Sequence, residues 1–276
     1  MRIRLLPLIV LTVFGIVTCS AENVVAAAGK SEFEARTYQQ VGGKTLPYLL
    51  LRPADYQPDS SKKYPLLIFL HGAGERGNDN RAQITHGKDF LLAAAKQHGC
   101  FVIAPQCPRN ARWVEVDWSA RSHLMSEKPS VPMGLLLDLL PKIRDEFAID
   151  ADRIYVMGLS MGGYGAWDMI QRHPDLLAVA VPICGGGDAT KVERIARLPV
   201  WAFHGNQDPI VPTSRSHDMI EAMRKAGGSP RYTESPGVGH DVWGVAFGDP
   251  ELAKWLFAQS RGKKKILTSS RGTEAK

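Results

Sequence analysis

Apolar positions along this chain fall into two rhythms. Tyr64-Pro65-Leu66-Leu67-Ile68-Phe69-Leu70 is apolar at every position. Such a run is too short for a typical helix and has the composition of a strand covered on both faces. Shorter apolar runs at 101–104, 153–157, 176–181 and 200–203 predict further strands, with another near Tyr232. Between them, helical spacing of apolar side chains predicts helices at 90–97, 135–147 (despite Pro141), 161–172, 214–225 and 251–259. Ahead of this series, 35–39 and 46–52 flank Gly42-Gly43 and predict an antiparallel entry pair. Strands that alternate with helices need right-handed crossovers, so the expected class is α/β: a mainly parallel twisted sheet with helices on both faces. Functional groups should then gather beyond the carboxyl ends of the strands. No internal repeat or linker interrupts the pattern, and one catalytic domain is expected over 33–260.

The two ends read differently. Met1-Arg2-Ile3-Arg4 is followed by a mostly apolar stretch from Leu5 to Val17 and then by small residues. That stretch is too short to cross about 30 Å of hydrocarbon, so it predicts a secretory signal over 1–21, with cleavage after Ala21 or as late as Ala28. Ile16-Val17-Thr18-Cys19 is also similar to a bacterial lipoprotein box, although Thr18 departs from the usual small residue; membrane attachment is expected only if Cys19 is lipidated. Either route predicts export to the periplasm or beyond. Formal net charge is +6, but 261–276 holds six basic side chains against one acid, and Arg2 and Arg4 lie at the other end. The body between is close to neutral, which argues against nucleic acid as a partner and leaves 261–276 as a basic tail. Four cysteines occur. With Cys19 in the signal region, three remain and no even disulfide framework forms. Cys100 and Cys107 flank a predicted strand too long to bridge, and no metal site is expected.

The chemistry concentrates at strand ends. Gly158-Leu159-Ser160-Met161-Gly162 lies between the predicted strand 153–157 and the predicted helix 161–172. A serine in that strand-turn-helix context is a nucleophile elbow, in which flanking glycines let neighbouring backbone approach closely. A serine hydroxyl needs an imidazole to accept its proton and a carboxylate to orient the imidazole, and on this scaffold they follow in the order acid, then base. Asp208 follows the strand 200–203 and the turn His204-Gly205, and His240 sits on the loop Gly237-Val238-Gly239-His240. Asp188, after the preceding strand, is the alternative acid. His71 and His204 are read as turn residues; His98, His173 and His217 fall in helical segments, and His86 and His123 precede the elbow. The loop His71-Gly72-Ala73-Gly74-Glu75-Arg76-Gly77 follows strand 64–70, the position from which an amide completes an oxyanion hole. Ala73 and Met161 are the expected donors. Trp113, in the long stretch 107–131, and Trp243 are candidate substrate-binding aromatics.

Leu70-His71-Gly72-Ala73-Gly74-Glu75-Arg76-Gly77, Gly158-Leu159-Ser160-Met161-Gly162-Gly163, His204-Gly205-Asn206-Gln207-Asp208 and Gly239-His240-Asp241 together resemble the exported carboxylesterases related to feruloyl and acetylxylan esterases and poly(3-hydroxybutyrate) depolymerases. That group overlaps proteins described as prolyl-oligopeptidase-like peptidases. The resemblance covers roughly 35–260 and implies an α/β-hydrolase fold and ester hydrolysis through an acyl-enzyme without a cofactor. Small-molecule or polysaccharide esters, acetyl or feruloyl among them, are the implied substrates. A serine peptidase and a non-catalytic surface binding protein are the alternatives, and the sequence does not fix an oligomeric state.

Overall fold

In the computed structural model, residues 33–261 are described; the signal-like segment and 262–276 lie outside them. Two strands open the domain, β1 (Glu34–Gln39) and β2 (Thr45–Leu51). They pair antiparallel, as the Gly42-Gly43 turn predicts. Then β3 (Tyr64–Leu70), α1 (Lys88–His98), β4 (Phe101–Pro105), α2 (Val131–Glu146), β5 (Ile149–Leu159) and α3 (Met161–Arg172) alternate. The series continues with β6 (Val179–Ile183), β7 (Trp201–Gly205), α4 (Ser214–Lys225) and β8 (Arg231–Ser235). Two short helices, α5 (Trp243–Gly248) and α6 (Leu252–Phe257), close it. The eight strands form one sheet in the order β1-β2-β4-β3-β5-β6-β7-β8. From β4 to β8 every pairing is parallel. This arrangement is the α/β-hydrolase fold.

The apolar run of β3 is explained by its place in the sheet. All seven residues are buried, and alternate side chains feed opposite layers. Leu66, Ile68 and Leu70 join the layer that contains Leu136, Leu139, Tyr164 and Trp167 from α2 and α3. Leu67 and Phe69 join the other layer, with Leu91 of α1 and Leu252 and Leu256 of α6.

Several boundaries differ from the sequence expectation. Helix α2 begins at Val131 because the Ser130 hydroxyl caps it, accepting from the Met133 amide at 3.3 Å, and Pro132 occupies a first-turn position where no N–H is missed. Strand β5 starts four residues earlier than predicted. Its polar beginning, where Asp150 meets the Arg153 guanidinium at 2.6 Å, is accommodated by a register shift against β3 between Tyr64 and Leu66. Strand β6 starts later, at Val179. Helix α5 has no counterpart in the sequence reading, since a six-residue turn with glycine at Gly244 and Gly248 carries no helical periodicity.

Candidate active site

Because β3, β5, β7 and β8 run parallel, their carboxyl ends lie on one edge of the sheet, and the candidate residues sit there. Ser160 joins the end of β5 to the start of α3 with φ +53° and ψ −118°. A non-glycine residue in that region carries strain and is held only by tight surroundings. Here they are tight: a β-carbon on Gly158 would lie 2.2 Å from the Gly162 carbonyl oxygen, and one on Gly162 would lie 1.9 Å from that of Leu70. The Ser160 amide is pinned to the Ile183 carbonyl at 2.8 Å. The elbow is thus wedged between the ends of β3 and β6, with the serine oxygen projecting away from the sheet.

Ser160 Oγ lies 2.8 Å from His240 Nε2, and His240 Nδ1 lies 2.7 Å from Asp208 Oδ2. The side chain of Asp208 is fully buried. Its Oδ1 accepts from the amides of Ile210 and Val211 at 2.8 and 2.9 Å. Burial works against its charge, but donation from His204 and His240 and from the two amides outweighs that and holds the carboxyl well below the ordinary aspartate range. The group is therefore a carboxylate at neutral pH, fit to orient an imidazole. Asp188, the alternative acid, is engaged elsewhere. It accepts from the amides of Met125 and Thr190 and so ties down the long stretch that follows β4.

The sequence suggests only a turn role for His204, yet its fully buried ring reaches Asp208. His204 Nε2 is 3.3 Å from Asp208 Oδ2 and 3.1 Å from the Val211 carbonyl oxygen, and Nδ1 is 2.8 Å from Ser216 Oγ. The sequence signal was the spacing of four residues across a glycine turn, His204 to Asp208.

Met161 is the first residue of α3, so its amide has no acceptor within the helix. Ala73 likewise opens a short 3-10 turn, Ala73–Glu75. That turn lies against the elbow: a β-carbon on Gly72 would sit 3.6 Å from Ser160 Cβ. The loop is braced from below by His71. Its Nδ1 donates to the Gly72 carbonyl at 2.6 Å, and its Nε2 accepts from the Cys107 amide at 2.9 Å. Burial lowers the His71 pKa to about 4, so the ring is neutral and keeps the lone pair that this bracing needs.

The two tryptophans part company. Trp113 is fully buried; its indole N–H donates to the His71 carbonyl at 3.1 Å and its ring meets His71 edge-on. It supports the loop from the protein side, and the expectation that it lines a substrate pocket is corrected. Trp243 is half-buried at the start of α5, its ring 5.6 Å from that of His240. The stretch between β4 and α2 crosses the same edge and is fastened to α3 and α4: Tyr164 donates to the Trp118 carbonyl at 3.0 Å and Arg215 to that of Arg121 at 3.1 Å.

Among the described residues, only Cys184, Asp208 and His240 gather enough metal-binding atoms in one place, within 4.8 Å of one another. The fit is poor. Two of the three are already bonded to each other, and burial pushes the Cys184 thiol far above its ordinary range, away from the thiolate that a metal requires. The cysteines at 100, 107 and 184 are free and buried.

Comparison with known proteins places this site in context. A crystallised thermostable esterase superposes with a TM-score of 0.77 at 42% identity, covering 83% of this chain and 63% of that one. A poly(3-hydroxybutyrate) depolymerase of Ralstonia pickettii is 24% identical over 189 residues, 66% of this chain and 38% of that protein. A protein of Arthroderma benhamiae described as an uncharacterized secreted protein is 24% identical over 253 residues, 79% of this chain. The chain spans 26% and 38% of the lengths of these two curated relatives. The dienelactone hydrolase family profile matches residues 94–245, a stretch that holds the elbow, Asp208 and His240, and the chain belongs to that family.

Proposed function

We propose that this chain is a serine carboxylesterase that works through an acyl-enzyme, with Ser160 as nucleophile, His240 as base and Asp208 as the orienting acid. The observation that carries this reading is the continuous relay from Ser160 Oγ through both nitrogens of His240 to a buried carboxylate, at 2.8 and 2.7 Å. In this mechanism His240 Nε2 takes the hydroxyl proton as Ser160 Oγ attacks the ester carbonyl carbon. The amides of Ala73 and Met161 receive the developing oxyanion, assisted by the positive end of α3. Collapse expels the alcohol, which takes the proton from His240, and water repeats the sequence to release the acid and free the serine. No step calls for a metal or an organic cofactor.

The catalytic domain is taken as 33–260, with 1–21 as an export signal and 261–276 as a basic tail. Export suits an ester met outside the cytoplasm, and acetyl or feruloyl esters of polysaccharides head the candidates. Trp243 offers a flat apolar face beside the reacting centre for a sugar or aromatic ring. Hydrolysis of p-nitrophenyl acetate, butyrate and a feruloyl ester, set against a prolyl amide, tests the proposal. Ester turnover that falls to background in Ser160→Ala supports it. Amide turnover without ester turnover, or unchanged ester turnover in the variant, contradicts it.

A further inference from the structure

The carboxylate of Glu75 is not used by the relay, and its setting is unusual. Glu75 belongs to the loop after β3, yet it is 8% exposed. Its Oε2 is buried without a hydrogen-bond partner among the described residues. A buried acceptor left unpaired is costly and uncommon, so such an atom calls for an explanation. It also lies close to the nucleophile: a β-carbon on Gly72 would be 3.0 Å from Glu75 Oε2 and 3.6 Å from Ser160 Cβ. Glu75 Oε1 is 3.2 Å from Nε2 of His86, a side chain that is 38% exposed. The ring of His86 lies 5.1 Å from that of Trp243, which in turn lies 5.6 Å from that of His240. Ser160, His240, Trp243, His86, Glu75 and Gly72 therefore form a closed circuit of neighbours.

We propose that Glu75 and His86 form a polar subsite on the leaving-group side of Ser160 that selects esters whose alcohol portion carries a free hydroxyl next to the ester. This rests on the esterase reading above and gives it a substrate class. The side is set by proton transfer: His240 must reach the departing oxygen, so groups beyond its ring, namely Trp243 and then His86, face the alcohol rather than the acyl chain. The chemistry is set by the donor and acceptor inventory. A carboxylate only accepts, and an imidazole that turns its Nε2–H toward that carboxylate presents an accepting Nδ1 on its other side. Both atoms complement a hydroxyl, whereas an anionic alcohol portion would be repelled.

The test is a ratio. 2-Hydroxyethyl acetate and propyl acetate differ by a hydroxyl in place of a methyl, and kcat/KM for each is divided by its rate of hydrolysis in alkali to remove intrinsic reactivity. The wild-type enzyme should favour the hydroxy ester by about tenfold or more, the scale of one hydrogen bond to a charged acceptor. His86→Ala and Glu75→Gln should each draw the ratio toward unity, and the ratio is readable whatever happens to absolute rates. A wild-type ratio near unity overturns the inference without needing any variant to fold. A preference that persists undiminished in both variants also overturns it, because Glu75 would then only buttress the loop. Absence of p-nitrophenyl acetate hydrolysis in the wild type would sink the esterase reading itself, and that control separates the two failures.

Discussion

Asp208→Asn is the substitution that asks most of the proposed relay, because the two side chains have nearly the same shape. Asp208 accepts on both oxygens: Oδ1 from the amides of Ile210 and Val211 at 2.8 and 2.9 Å, and Oδ2 from His240 at 2.7 Å, with His204 3.3 Å away. An asparagine has one accepting end. If its oxygen serves the two amides, its NH2 faces His240 Nδ1, which must then become the acceptor. The remaining ring proton moves to Nε2, the atom that has to receive the proton of Ser160. If the amide flips, two backbone N–H groups face an NH2 in a buried site, and the loop after β7 is destabilised. The first arrangement is the less costly, and a wrong tautomer in a triad lowers turnover by about 10⁴-fold, which converts to roughly 5 kcal/mol of transition-state stabilisation. The assay is kcat/KM on p-nitrophenyl acetate at neutral pH, with circular dichroism to establish that the variant folds. A folded variant that loses less than about tenfold would refute the role assigned to the carboxylate.

Gly162→Ala should fail as a protein rather than as a catalyst, since its β-carbon would fall 1.9 Å from a backbone oxygen. A melting temperature lower by more than about 6 °C is expected from an overpacking cost of about 3 kcal/mol, whereas Gly74→Ala, with open space around its β-carbon, should melt like the wild type. Trp113→Phe keeps an aromatic ring but removes the pyrrole part of a fully buried indole together with the N–H that serves the His71 carbonyl, so stability should drop by about 2 to 4 kcal/mol in denaturant titration, from the lost hydrogen bond and the cavity together. The preference between acetyl and butyryl esters should stay as in the wild type; a changed preference would restore Trp113 to the pocket. Burial lowers the pKa values of His71 and His123 to about 4, with the Arg215 guanidinium adding to the effect at His123. A depressed histidine contributes stability that is present above its unfolded pKa of about 6.5 and is lost as pH falls toward the folded value. Unfolding free energy should therefore decline between roughly pH 6.5 and 4, and His71→Gln should flatten that decline; an unaltered pH dependence would contradict the bracing role.

The fold was legible wherever one interaction dominates. Strand β3 reads correctly because a two-faced strand leaves no polar position, and α3 because Ser160 and the glycines that frame it mark where a strand must give way to a helix. Boundaries failed where capping or pairing decides them instead. The Ser130 cap and first-turn Pro132 extend α2 beyond its apolar spacing, and the polar start of β5 is held by an ion pair and a bulge that no periodicity encodes. The three residues of the proposed relay could be singled out because strand order and chain order restrict the choices, and the fold brings their side chains together. Their support was not. His204 looks like a turn residue until the loop after β7 folds back on it, and Trp113 looks like a rim aromatic until α3 closes over it. At Gly165 a β-carbon would lie 2.9 Å from Trp113 Cβ, contact that only the packed tertiary structure specifies. Glu75 has the sequence character of a solvated loop carboxylate, and only the folded loop turns it inward.

Every step of the proposed mechanism depends on the Ser160 hydroxyl being an activated nucleophile. Reaction of the purified protein with a fluorophosphonate probe, followed by mapping of the modified peptide by mass spectrometry, tests this without assuming any substrate. One modified residue is expected, Ser160, with labelling abolished by Ser160→Ala and strongly slowed by His240→Ala. Labelling at another serine, or a folded protein that does not react at all, would contradict it.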